Sequence, residues 1–83
     1  MPNWDNFNPR GFEYDFENNE LHAHRVTIGE AVQCFDHRQK VLQNKSYTDR
    51  FKLIGKTDFG RKLCIIFQLK PNKIVRIITG WEV

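Results

Sequence analysis

The sequence has little of what most small catalytic sites are built from. Its 83 residues include one serine, Ser46, and nothing in the sequence supports a serine-centred triad. The two cysteines, Cys34 and Cys64, have neither a CxxC nor a metal-ligand spacing, and buried thiols are expected rather than a disulfide. His22, His24 and His37 lack the helical i, i+4 partners of a zinc site, so no metal or other cofactor is expected. No glycine-rich phosphate loop is present, because GKTDFG opens no helix after its strand. The longest apolar run, LCIIF, is a strand and far too short to span a bilayer, which argues against a membrane partner. The opening MPNWDNFNPRG is polar where a secretion signal needs a basic and then an apolar segment, so a cytoplasmic location is expected. There are no internal repeats and no low-complexity segments.

What is present is enough for one domain with a modest core: 40% of residues are apolar and 13% aromatic. Residues 1–11 read as an arm rich in Asn and Pro, with Trp4 and Phe7 as possible anchors, and 12–83 as the single domain. Phe12, Tyr14 and Phe16 alternate with Glu13 and Asp15, predicting a short edge strand over 12–16. Asp15 is placed to cap a helix over 16–24, with Leu21 as its clearest apolar contact. Thr27 and Glu30 form a capping-box pattern with Val26 and Ala31 at the staple positions. Ile28, Ala31, Val32 and Phe35 then share one face of a helix over Ile28–Asp36.

A charged connection leads to a short polar strand over 40–44. The densest signal follows, three strands over Arg50–Lys56, Lys62–Lys70 and 73–81, with Gly60 and Asn72 tolerating φ > 0 in the turns between them. KLCIIFQLK is apolar on both sides and belongs inside a sheet. The predicted order is β-α-α-β-β-β-β, an α+β domain with two helices on one face of an antiparallel sheet.

Charge is distributed unevenly. Residues 1–36 carry two bases and seven acids, whereas residues 37–83 carry eleven bases and three acids. A basic sheet half calls for an anionic partner such as nucleic acid or an acidic protein, unless the two halves merely neutralise each other. Arg76 lies in the apolar strand IVRIITGW, where a buried cation would need a carboxylate partner and an exposed one faces a site. With Arg50, Lys52, Lys56, Arg61, Tyr47 and Trp81 it makes a set of cations and aromatics. Such a set supplies the charge and stacking that RNA cleavage by 2′-hydroxyl attack requires. Lys52, Lys56 and Arg61 also read as plain surface cations.

Several of these residues carry a resemblance to the BrnT family, RelE-like toxins of type II toxin–antitoxin systems, over about residues 12–79. The family's opening Phe-Glu-Trp/Tyr-Asp strand matches Phe12, Glu13, Tyr14 and Asp15. Its helical signals match His24, Val26, Glu30, Ala31 and Phe35. Its sheet motifs match Arg50-Phe51, Ile54-Gly55-Lys56, Gly60-Arg61-Lys62-Leu63 and Arg76-Ile77-Ile78-Thr79. The sequence departs from the pattern at Ala23 and Arg25, where members carry Lys and Gly, and at Gly80-Trp81, where they carry Ala-Arg.

The resemblance implies a RelE-like fold and a metal-independent endoribonuclease held inactive by a cognate DNA-binding antitoxin, so that DNA is met only through that partner. On this reading Arg76 and Arg50 stabilise the scissile phosphate and His24 is the acid/base candidate. Lys52, Lys56 and Arg61 guide the RNA backbone, and Tyr47 or Trp81 stacks a base. Two other readings stay open: a non-catalytic module that holds nucleic acid or protein on the same basic face, and a structural subunit that self-associates through its polarised charge.

Overall fold

KLCIIFQLK lies where its composition requires, at the centre of a five-stranded sheet. In the computed structural model, which describes Trp4 and residues 6–14 and 20–83, the elements are β1 (Gly11–Tyr14), α1 (Glu20–Ala23), α2 (Ile28–Asp36), β2 (Arg38–Gln43), β3 (Arg50–Lys56), β4 (Lys62–Lys70) and β5 (Ile74–Glu82). The sheet order is β1-β5-β4-β3-β2. The described residues therefore form an α+β domain with a mixed five-stranded sheet and two α-helices.

The mixed sheet corrects the antiparallel expectation. β2 to β5 run antiparallel, but β1 lies parallel to β5, with Glu13 opposite Arg76 and Tyr14 opposite Ile77. A parallel neighbour needs a long crossover, and all the chain between β1 and β5 supplies it. The expected cap by Asp15 and the first residues of the helix over 16–24 lie outside the described residues; what is described of that helix is Glu20–Ala23. β2 starts at Arg38, earlier than the 40–44 pattern suggests, because a bulge between Arg38 and Lys40 takes up one residue. β5 starts one residue later than 73–81 implies, since Lys73 belongs to the turn with φ 61°, beside Asn72 at φ 65°.

α2 has the capping box its sequence encodes. Glu30 N donates to Thr27 Oγ1 at 3.1 Å, and Thr27 N donates to Glu30 Oε1 at 3.1 Å. Both staple residues, Val26 and Ala31, are buried. The turn between the helices closes with Val26 N donating to Leu21 O at 2.9 Å and Arg25 N to His22 O at 3.0 Å. This leaves Arg25 at φ 59°, a left-handed position that favours glycine.

The core lies between the sheet and the helices. Phe51, Leu53, Leu63, Ile65, Phe67, Val75 and Ile77 meet Leu21, Ala31, Cys34 and Phe35. Phe67 anchors it, with its ring centroid 4.9 Å from Phe35 and 5.5 Å from Phe51. Gly55 shares this side of the sheet, and a Cβ there would lie 2.5 Å from the Cys34 carbonyl oxygen. Gly80 does the same at β5, where a Cβ would meet Ile65 Cδ1 at 2.6 Å and Leu21 Cδ2 at 3.1 Å. Both expected anchors of the arm are engaged: Phe7 is buried, and the Trp4 ring lies 4.9 Å from Phe51. Arg38 secures them from behind, donating to the carbonyls of Trp4 (2.6 Å), Phe35 (2.6 Å) and Phe7 (2.5 Å).

One irregularity in β5 positions the site. Ile66 pairs with Thr79 but Phe67 with Ile77, so Ile78 is an extra, bulged residue. Side chains alternate along a strand, so Arg76 and Trp81, five positions apart, would otherwise face opposite sides. The bulge restores them to the same side, away from the helices.

Candidate functional site: the open face of the sheet

The residues that alternate away from the core form a second surface. On β3 these are Arg50, Lys52, Ile54 and Lys56; on β4, Lys62, Cys64, Ile66, Gln68 and Lys70; on β5, Ile74, Arg76, Thr79 and Trp81. Lys40 and Leu42 of β2 and Glu13 of β1 extend it at the two edges.

Arg50, Gln68, Arg76 and Glu13 are register partners in one row across β3, β4, β5 and β1. Two strand spacings separate the two arginine Cα atoms, roughly 10 Å. Arg76 is exposed, and among the described residues neither arginine has an ion pair. The Arg50 guanidinium carbon lies 4.2 Å from the Tyr47 ring centroid, and its Nε is buried without a hydrogen-bond partner. The acids at this end have other contacts. Gln68 Nε2 donates to Asp49 Oδ2 at 2.7 Å, and Lys70 Nζ donates to both Glu13 oxygens at 3.1 and 2.9 Å.

Lys52 and Lys56 are exposed on the same face, and Lys56 stands directly opposite Lys62. Like charges in such a pair repel, so this end of the sheet is held positive at some cost. Trp81 pairs with Cys64 and forms, with Ile66, Leu42, Lys52 and Lys45, the wall of a groove of about 380 Å³.

The His24 ring centroid lies 6.2 Å from that of Trp81. Trp81 and Arg76 pair four residues apart on β4, so His24 is grouped with the Trp81 end, about 13 Å along the strand from the arginine row. The sequence offers Tyr47 as a free stacking platform, but one side of its ring is covered by Arg50.

Arg61 is not on this surface. Its guanidinium binds Glu30 Oε2 at 3.0 Å, Glu82 Oε2 at 3.4 Å and the Arg25 carbonyl at 2.8 Å. The expectation that it guides RNA is corrected: two carboxylates neutralise it, and it ties the β3–β4 turn to α2. Burial pushes the Glu30 carboxyl up, but the Thr27 amide and the Arg61 guanidinium together hold it below the ordinary carboxylate value.

Both cysteines are free and buried. Burial pushes the Cys34 thiol up to about 11, with the Glu30 charge adding to the rise, and burial raises Cys64 against the opposing charge of Lys52. Neither thiol is poised as a nucleophile. Among the described residues no three His, Cys, Asp or Glu side chains converge, and no helix is long and apolar enough to cross a membrane.

Sequence reasoning missed Gln68, Lys70 and Glu13. Their signals were present: Gln68 interrupts the apolar run of β4, and Glu13 alternates with Phe12 and Tyr14. The register that joins them to the arginines is a tertiary property. Comparison of the chain with protein-family models, with characterised proteins and with solved structures returns no match.

Proposed function

We propose that this protein is a cytoplasmic endoribonuclease toxin of BrnT type with a RelE-like fold, needing no metal and neutralised by a DNA-binding antitoxin. The observation that carries the reading is the row of Arg50, Gln68 and Arg76. It holds two guanidinium groups on an open sheet face, free of ion pairs among the described residues. Two such groups suit a phosphate that gains negative charge as the 2′-hydroxyl attacks it. Lys52 and Lys56 extend the positive surface along the strand, and the Trp81 groove offers a ring on which a base can stack.

Incubating the purified protein with labelled RNA tests the reading. The wild type is expected to cleave and Arg76→Ala to lose most of that activity; equal cleavage by the two removes Arg76 from the mechanism. Expression alone is expected to arrest growth, and co-expression with a neighbouring antitoxin gene to relieve it.

A second reading is favoured by Gly80-Trp81 in place of Ala-Arg and by the distance of His24 from the arginine row. It is a non-catalytic module that holds RNA on the same face. Tight RNA binding without any cleavage or growth arrest would select it.

A further inference from the structure

Cleavage by the 2′-hydroxyl needs a group to take its proton, and His24 lies at the wrong end of β5 for the arginine row. Among the described residues, five acids have contacts or register positions that separate them. Glu30 and Glu82 are bound to Arg61, and Asp58 contacts His37 Nε2 at 2.9 Å. Asp49, at the entry to β3, holds the Gln68 amide. Glu13 is the carboxylate whose own strand position falls in the row, directly opposite Arg76. Lys70, one alternation beyond Gln68 on β4, fixes it with a 2.9 Å ion pair. The chain thus has a carboxylate at the edge of an anion-binding row, with a side-chain cation setting its direction.

We propose that Glu13 is the general base of the cleavage described under Proposed function, on which this inference rests, and that Lys70 positions it. In this step the Glu13 carboxylate takes the 2′-hydroxyl proton as the 2′-oxygen forms a bond to phosphorus. The P–O5′ bond breaks, the departing 5′-oxygen takes a proton from solvent water, and the hydroxide left behind takes the proton held by Glu13, which restores the carboxylate. The products are a 2′,3′-cyclic phosphate and a 5′-hydroxyl, with no change of oxidation state. Arg76 and Arg50 hold the non-bridging oxygens throughout.

The test is single-turnover cleavage of a defined RNA, with affinity measured separately on the same RNA carrying 2′-deoxy substitutions. Glu13→Gln is expected to lower the rate by about 10²- to 10⁴-fold and to leave that affinity unchanged. Glu13→Asp, which keeps a carboxylate of shorter reach, is expected to retain part of the rate. Lys70→Ala is expected to slow cleavage and Lys70→Arg to restore it, a rescue that loss of folding would not show. Asp49→Asn is expected to cleave nearly as well as the wild type. Wild-type cleavage by Glu13→Gln overturns the assignment, as does loss of activity in Asp49→Asn with Glu13→Gln intact; both leave the nuclease reading standing. RNA binding by a wild type that never cleaves removes the enzyme reading and the base together.

Discussion

The two faces of this sheet are built from alternate residues of the same strands, yet they resemble the surfaces of different proteins. The helix-covered side holds Phe51, Leu53, Leu63, Ile65, Phe67, Val75 and Ile77, none more than 4% exposed. The other side interleaves Arg50, Lys52, Lys56, Lys62 and Arg76 with Ile54, Ile66 and Trp81, and among the described residues no helix lies over it. Cation against cation, as at Lys56 and Lys62, is a poor way to stabilise a sheet. One face holds the fold together, and the other spends part of that stability on a positive surface.

The largest test of this contrast is a pair of neighbours on β4. Phe67→Ala on the covered face is expected to cost about 3–5 kcal/mol, by transfer loss plus cavity. Ile66→Ala, one residue away on the open face, is expected to cost well under half as much in urea unfolding. Equal costs would mean that the second face is also covered. Two glycines give the next comparison. Gly55→Ala forces a Cβ against the Cys34 carbonyl and is expected to lose about 1–3 kcal/mol. Gly11→Ala, whose Cβ would meet only Ile74 Cδ1 at 3.4 Å, is expected to be close to neutral.

A pH series probes the covered side alone. Glu30 is held below its ordinary value of 4.5 in the folded state, so it contributes stability above about pH 4.5 and loses it as pH falls through the lowered value. Thermal melts should therefore show Glu30→Gln less stable than wild type at neutral pH, with the two converging in acid. The smallest stability effect is expected at Arg76→Ala, within about 0.5 kcal/mol. Its RNA affinity should nevertheless fall, with the slope of binding against salt reduced by about 1. Arg61→Ala should do the reverse, lowering the melting temperature and leaving the salt slope unchanged. If the two arginines exchanged behaviour, the division between the faces would be lost.

Much of the covered face was legible in sequence because its causes are local. The capping box, the apolar stripe of α2 and the alternation in β3 and β4 each set their own element, and their limits agree with Ile28–Asp36, Arg50–Lys56 and Lys62–Lys70. The parallel pairing of β1 was not legible, since nothing in four residues records which neighbour a distant strand will offer. The site divided along the same line. Arg50 and Arg76 could be named from the sequence, but their common row with Gln68 and Glu13 depends on register. Arg61 looked equivalent to them because its two carboxylates, Glu30 and Glu82, lie far from it in the chain. Arg38 gave no sign that it would hold the backbone of Trp4 and Phe7, a contact across more than thirty residues.

Ile78 acts as a half-step in a two-beat pattern. Upstream of it, odd-numbered residues of β5 point into the interior; downstream, Gly80 does. Removing that one residue would rotate the strand's last segment by half a turn, sending the Trp81 indole toward α1 and Gly80 outward. A single-codon deletion there would therefore exchange a ring on the open face for an internal clash, although every remaining amino acid would be unchanged.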